Sequence, residues 1–199
     1  MAKIDNGAWR WSTTGQARRQ IIDAARRVFI AKGFAKANIA DIVTASESST
    51  GSLYHHFGGK AEIFIATWEE FRDTQFVLAK DAVARARDAG TRNPLNLFCI
   101  GAEASLDGVW TDRDAAALYA GGDAPAGFLT LRRQSSQTWV RQNAIILGLD
   151  DTPKNRLLVS VLTEVIDAGG REVTKCADKA HADEIAAETV AIIRRIVPS

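Results

Sequence analysis

The chain has 199 residues, of which 46% are hydrophobic and 25% charged, a balance typical of a globular protein that buries its own core. No uninterrupted apolar stretch approaches the roughly 20 residues of a membrane helix, and the first fifteen residues have no apolar core, so we expect neither a membrane span nor a secretory signal. The two cysteines, Cys99 and Cys176, have no metal-binding spacing. We therefore expect a reduced, cytoplasmic protein without disulfides, metal or cofactor.

The net charge of +1 is unevenly distributed. Residues 1–60 hold nine Lys or Arg against four acids, a net charge of +5, and the remainder of the chain carries −4. A basic N-terminal segment followed by an acidic remainder is typical of a protein that binds a polyanion. Solvated helix faces would give the same pattern by chance, and the charge alone leaves both interpretations open.

The N-terminal segment is predicted to be helical, as is almost every later segment. Thr13 and Gln16 have the spacing of a capping box at a helix start, and Gly33 predicts the helix end. Upstream, Trp9-Arg10-Trp11 has two possible roles: packing of the tryptophans against the first helix, or a basic arm that enters a DNA minor groove.

Two short helices follow. Asn38 is the predicted N-cap of Ile39–Ala45, Ser49 is the predicted N-cap of Thr50–Phe57, and Ser46-Glu47-Ser48 forms the turn between them. Helices this short are marginal in isolation, so they must pack on the first helix. Three helices joined in this way predict a helix-turn-helix unit, the arrangement with which many proteins read DNA.

The second short helix has two chemically different faces. At 100° per residue, Leu53 and Phe57 lie together and predict the buried side. The opposite face carries small, polar and aromatic residues without an acid: Gly51, Ser52 and His55, flanked by Tyr54 and His56. Such a face suits a major groove, because hydroxyl and imidazole groups can bind bases or phosphates.

Lys60 starts the next helix, where a cation opposes the helix dipole. A phosphate bound at that N-terminus would be held by both the dipole and the ammonium group. An ordinary solvated lysine is the alternative.

These residues resemble a known signature. Gly51–Phe57, followed by Lys60 and preceded by Gly33-Phe34, is similar to the DNA-binding motif of TetR-family repressors, over roughly residues 16–64. The resemblance implies that Tyr54 and Lys60 clamp the DNA backbone. With the cap residue of the first short helix, the predicted DNA-binding set is Asn38, Thr50, Gly51, Ser52, Tyr54, His55, His56 and Lys60.

The resemblance also implies an all-α fold, with a helix-turn-helix domain at 1–59 and a helical effector-binding and dimerisation domain at 60–199. The implied function is that of a repressor on double-stranded, palindromic operator DNA, released by an unknown small-molecule effector. The turn departs from the family, which commonly has Ala-Gly-Val where this chain has Ser46-Glu47-Ser48. If that turn needs a positive φ, a glutamate there costs about 1 kcal/mol.

Six further helices are predicted in the C-terminal domain, at about 60–88, 93–110, 111–121, 126–149, 153–178 and 182–197. Polar and aromatic residues on these helices predict a ligand pocket: Trp68, Gln75, Phe98, Cys99, Glu103, Trp110, Phe128 and Trp139. A wide apolar arc on the last two helices predicts a homodimer interface formed as a four-helix bundle: Leu157, Leu158, Val161, Leu162, Val165, Ile185, Ile192 and Ile196.

The alternative from another functional class is an all-helical enzyme or ligand-binding protein whose first domain is only structural. No Ser/His/Asp set suggests catalysis, so we predict that the chain is not an enzyme. Adjacent helical residues point about 100° apart, so His55-His56 is not expected to bind a metal.

Overall fold

The computed structural model describes the backbone of residues 6–197 and the side chains of residues 15–197. This part of the chain is all-α, as predicted, and it contains no strand. None of its helices is long and apolar enough to cross a membrane. In chain order the helices are α1 (Asn6–Lys36), α2 (Ile39–Ser46), α3 (Thr50–Phe57), α4 (Lys60–Asp88), α5 (Pro94–Thr111), α6 (Arg113–Ala120), α7 (Phe128–Leu147), α8 (Pro153–Val173) and α9 (Lys179–Ile196).

The chain divides into two compact units. The first runs to Glu70 and includes the loop Gly121–Pro125, and the second contains Phe71–Ala120 and the residues from Ala126 onward. This division lies inside α4 and not at the predicted boundary between residues 59 and 60. The reason is that the start of α4 supplies part of the first unit's core: the fully buried ring of Phe64 lies 5.2 Å from the rings of both Phe29 and Phe34.

The first unit is built on α1. Ile21, Ala25 and Phe29 are fully buried at helical spacing and form its core-facing side. Gly33 breaks the helix as predicted, with φ 75° and ψ 168°, although one more turn continues to Lys36. The helix begins at Asn6, so the predicted start at Thr13 is wrong. The intervening residues include no proline that would stop a helix.

The predicted alternatives for Trp9-Arg10-Trp11 concern side chains that lie outside the described residues. Both alternatives therefore stay predictions.

The second unit has its main core between α5, α8 and α9. Phe98, Leu162 and Ile193 are almost completely buried in it. A Cβ atom at Gly169 would lie 2.3 Å from Oγ1 of Thr189, so α8 and α9 pack with their backbones in close approach. The last helix begins at Lys179, before the predicted residue 182, because Asp178 is its N-cap and accepts a hydrogen bond from the His181 amide at 3.0 Å.

Candidate nucleic-acid interface

The N-terminal end of α2 is fixed by a capping box. Oδ1 of Asn38 accepts from the Asp41 amide at 2.9 Å, and Oδ2 of Asp41 accepts from the Asn38 amide at 3.1 Å. Lys32 forms an ion pair with Asp41 at 2.7 Å. The hydrogen bond from Lys32, together with that from the Asn38 amide, holds the pKa of Asp41 below its ordinary value. Asn38, a predicted DNA contact, therefore also has a local structural role.

The turn between α2 and α3 contains a left-handed residue. Glu47 has φ 52° and ψ 28°, the conformation that glycine adopts at least cost. The Ser48 amide donates to the Val43 carbonyl at 3.2 Å, which closes the end of α2. The turn therefore does need a positive φ, and a glutamate occupies that position.

The outer face of α3 is open to solvent, as predicted. Ser49 caps the helix by accepting from the Ser52 amide at 3.1 Å, and Leu53 is fully buried beneath it. Thr50, Gly51 and His55 are exposed, Tyr54 is 52% exposed, and Ser52 and His56 are half-buried. Six of the predicted DNA-binding residues therefore belong to one short helix that is anchored by a single buried leucine.

Lys60 is not an ordinary solvated lysine. Its Nζ donates to the carbonyl oxygens of Phe34 and Ala37, both at 2.8 Å, and lies 4.4 Å from the centroid of the Phe34 ring. The carbonyls at the end of α1 carry partial negative charge, so they compensate a cation placed at the positive end of α4. The ammonium has three protons, and the two carbonyls accept two of them.

A cationic side chain also lies beside α3. The guanidinium carbon of Arg18 on α1 lies 5.2 Å from the centroid of the Phe57 ring, and Arg18, Arg19 and Arg27 are exposed. No acidic residue occurs between Ser48 and Gly59. The helix with the polar outer face is therefore accompanied by positive charge, as binding to a polyanion requires.

Comparison with known proteins agrees with this geometry. Residues 21–67 match the family model described as bacterial regulatory proteins, tetR family. The chain is 37% identical over 65 residues to the HTH-type transcriptional regulator TtgR of Pseudomonas putida, a match that covers 33% of this chain and 31% of that protein. It is 30% identical over 79 residues to the HTH-type transcriptional repressor AcnR of Corynebacterium glutamicum, covering 40% and 36% respectively.

The chain resembles the TetR family in its N-terminal part, residues 21–67. Its matches to curated relatives span only about a third of their length. The fold resemblance is wider: a TetR-like transcriptional regulator from Rhodococcus sp. RHA1 superimposes with a TM-score of 0.66 at 23% identity, over 90% of this chain and 94% of that one. A transcriptional regulator from Aquifex aeolicus VF5 gives a TM-score of 0.69 at 15% identity, over 91% and 99%.

The predicted effector-pocket residues lie in several different parts of the structure. Phe98 and Cys99 are buried and packed among α8 and α9 residues, and their role in a pocket stays a prediction. Burial raises the pKa of the Cys99 thiol. Trp68 belongs to the first unit, and Phe128 is 1% exposed.

The remaining pocket candidates lie in three places in the second unit. Glu103 and Trp110 line an open groove of about 440 Å³. The ring of Trp139 lies 5.5 Å from that of Phe76. Oε1 of Gln75 is buried without a hydrogen-bond partner and faces Gly108. An effector pocket built from these residues stays a prediction.

The predicted dimer residues divide into three groups by exposure. Leu157, Val161, Ile192 and Ile196 are exposed on α8 and α9, with Leu157 67% exposed. Leu162 is corrected to a core residue, because it is fully buried within the chain. Leu158, Val165 and Ile185 are half-buried against the cores. The predicted apolar arc is wider than the apolar surface that is exposed, because the arc also contains the residues that pack α8 against α5 and α9.

In the part of the chain that the structure describes, no three or more His, Cys, Asp and Glu side chains are grouped to hold a metal ion. The rings of His55 and His56 lie 5.4 Å apart at an interplanar angle of 65°.

Proposed function

We propose that this chain is a DNA-binding transcriptional regulator that inserts α3 into the major groove of an operator. The observation that carries the proposal is the outer face of α3, which is exposed, polar and free of acids over a buried Leu53. A helix face that only meets water would also be polar, but it has no need to exclude acidic residues. A groove-binding helix needs an acid-free face, because each exposed group must form a hydrogen bond with a polyanion or allow its close approach.

Different groups on α3 would contact different parts of the DNA. Gly51, in the first turn, has no side chain to keep the backbone away from the duplex. Ser52 and His55 can bind base edges or phosphates, while the exposed phenol of Tyr54 can reach a phosphate. Lys60 contributes its remaining proton to the backbone while its other two hold α1.

We propose further that the regulator acts as a homodimer. The exposed side chains Leu157 and Val161 on α8 and Ile192 and Ile196 on α9 form apolar surface that a second copy would cover. Two-fold symmetry would present two α3 helices to a palindromic operator, with half-sites about 34 Å apart. Substituting Leu157→Glu should give a monomer by light scattering, and a wild-type chain that is itself monomeric at micromolar concentration would contradict the proposal.

Repression relieved by a small-molecule effector is the regulatory form of this proposal. An effector bound in the second unit would favour a spacing of the two DNA-binding units that does not fit both half-sites, so the affinity for the operator would fall. The resemblance of residues 21–67 to the TetR family supports this regulatory form. We also propose that the protein works in the cytoplasm, as expected from the sequence.

The test compares two exposed histidines, one on α3 and one at the start of α9. His55→Ala should weaken binding to a duplex that the wild-type chain selects from a random pool, by about tenfold, the equivalent of one lost base or phosphate contact. His181→Ala is the matched control and should leave the affinity unchanged. The affinity of the wild type should fall steeply as salt increases.

A wild-type chain that selects no duplex, or whose DNA binding is insensitive to salt and to His55→Ala, would favour the ligand-binding or enzymatic alternative.

A further inference from the structure

The last turn of α1 leads directly into the cap of α2, and we call it the hinge segment (residues 33–37). Gly33 leaves helical geometry at φ 75°, so the amides after it have lost the acceptors that a continuous helix would supply. The Ala35 amide instead donates to Oδ1 of Asp123 at 2.9 Å. Donor and acceptor are 88 residues apart in the chain. A carboxylate from a distant loop thus acts as the N-cap of this turn.

The carboxylate lies directly against position 33. A Cβ atom there would lie 2.4 Å from Oδ2 of Asp123, so the Asp123 side chain would have to shift to admit one. The loop that carries Asp123 (Gly121–Pro125) belongs to the first unit, and its Pro125 is buried. The chain continues from this loop into α6 on one side and α7 on the other.

The hinge segment is held through its carbonyls as well. Lys60 donates to the carbonyls of Phe34 and Ala37, both at 2.8 Å. An anion therefore binds an amide of this segment, and a cation binds its carbonyls. The carboxylate faces the positive end of the backbone dipoles and the ammonium faces their negative end. The Asp123 and Lys60 contacts therefore restrain the same five residues.

We propose that Asp123 is a positioning residue for DNA binding. By capping the hinge segment, it fixes the direction in which α2 and α3 continue from α1. Asp123 lies in the loop between α6 and α7. Because its carboxylate caps the hinge segment, the direction of α2 and α3 depends on the position of this loop. The inference rests on the proposed DNA-binding function and adds to it a residue that does not itself contact the duplex.

The experiment uses the full chain with three substitutions: Asp123→Ala, which removes the acceptor; Asp123→Asn, which keeps an acceptor oxygen without the charge; and Asp81→Ala, which removes an exposed carboxylate from α4. Amide exchange at Ala35 is followed by NMR, and affinity is measured for the duplex that the wild type selects. Asp123→Ala should accelerate exchange at Ala35 by about tenfold, the loss of one hydrogen bond to a charged group.

The DNA measurement separates positioning from charge. Removing a negative charge alone would strengthen binding to DNA. We expect the opposite from Asp123→Ala, a loss of about fivefold, whereas Asp123→Asn stays within about twofold of wild type. Asp81→Ala should change neither exchange at Ala35 nor affinity by more than about twofold.

Three results would overturn the inference: unchanged Ala35 exchange in Asp123→Ala, unchanged or stronger DNA binding in that variant, or an Asp123→Asn variant that behaves like Asp123→Ala. These leave the proposed function intact if the wild type binds DNA. A wild type without DNA binding would overturn both.

Discussion

Replacing Glu47 by glycine should stabilise the protein, although it removes a side chain. A non-glycine residue in the left-handed region costs roughly 1–2 kcal/mol, and Glu47 has φ 52° and ψ 28°. Glycine would relieve this cost but would add conformational freedom to the unfolded chain, worth about 0.4–1 kcal/mol in the other direction. The net expectation is an increase of about 0.5–1 kcal/mol in the free energy of unfolding.

The assay is urea denaturation of the glycine variant beside Glu47→Ala. Both variants lack the carboxylate, but only alanine keeps the Cβ atom that makes the left-handed conformation costly. Glu47→Gly should unfold at a urea concentration about 0.3 M higher than Glu47→Ala, for a denaturant dependence of about 2 kcal/mol per molar. An equal or lower midpoint for the glycine variant would refute the argument that the turn is strained.

Three other predictions follow from the contacts described above. Lys60→Met should lower the free energy of unfolding by about 1–3 kcal/mol, because two carbonyls lose a charged donor; Lys60→Arg should recover part of the loss in the same urea assay. Gly169→Ala should destabilise by about 1–3 kcal/mol through the clash with Thr189, whereas its neighbour Gly170→Ala, whose nearest contact would be 3.8 Å, should not; equal thermal midpoints would contradict this. Hydrogen bonds from Lys32 and the Asn38 amide lower the pKa of Asp41. The stability that this carboxylate contributes is therefore complete above its pKa in the unfolded chain and is lost as pH falls through its pKa in the folded chain. The difference in unfolding free energy between wild type and Asp41→Asn should shrink on acidification, and a constant difference in urea titrations would argue against the ion pair.

The helices of the first unit could be predicted closely because their signals are local. Asn38 and Ser49 each cap a helix within three residues of themselves, and the observed α3 has the predicted bounds Thr50–Phe57. The Leu53 face was fixed by helical spacing alone. Where partners are three or four residues apart, sequence spacing determines the contact.

The sequence could not show contacts between distant residues. Lys60 stood out as a cation at the wrong end of a helix, but its carbonyl partners are 23 and 26 residues away. Asp123 gave no signal, because it lies in a glycine-rich loop that reads as an ordinary turn. Leu162 and Leu157 share one apolar arc on α8, and only the packing of α5 and α9 decides that Leu162 is buried and Leu157 exposed.

The strained turn and the hinge segment act on opposite ends of α2. At its start, the capping box of Asn38 and the bonds to residues 33–37 fix the helix. At its end, Glu47 is left-handed between the buried Ile42 and Ser48, whose amide donates to the Val43 carbonyl. Ser49, the cap of α3, comes two residues later, so the backbone angles of Glu47 set the direction of α3. A substitution that moves residue 47 out of the left-handed region should therefore change affinity for the selected duplex through the orientation of α3, even where α2 and α3 remain folded.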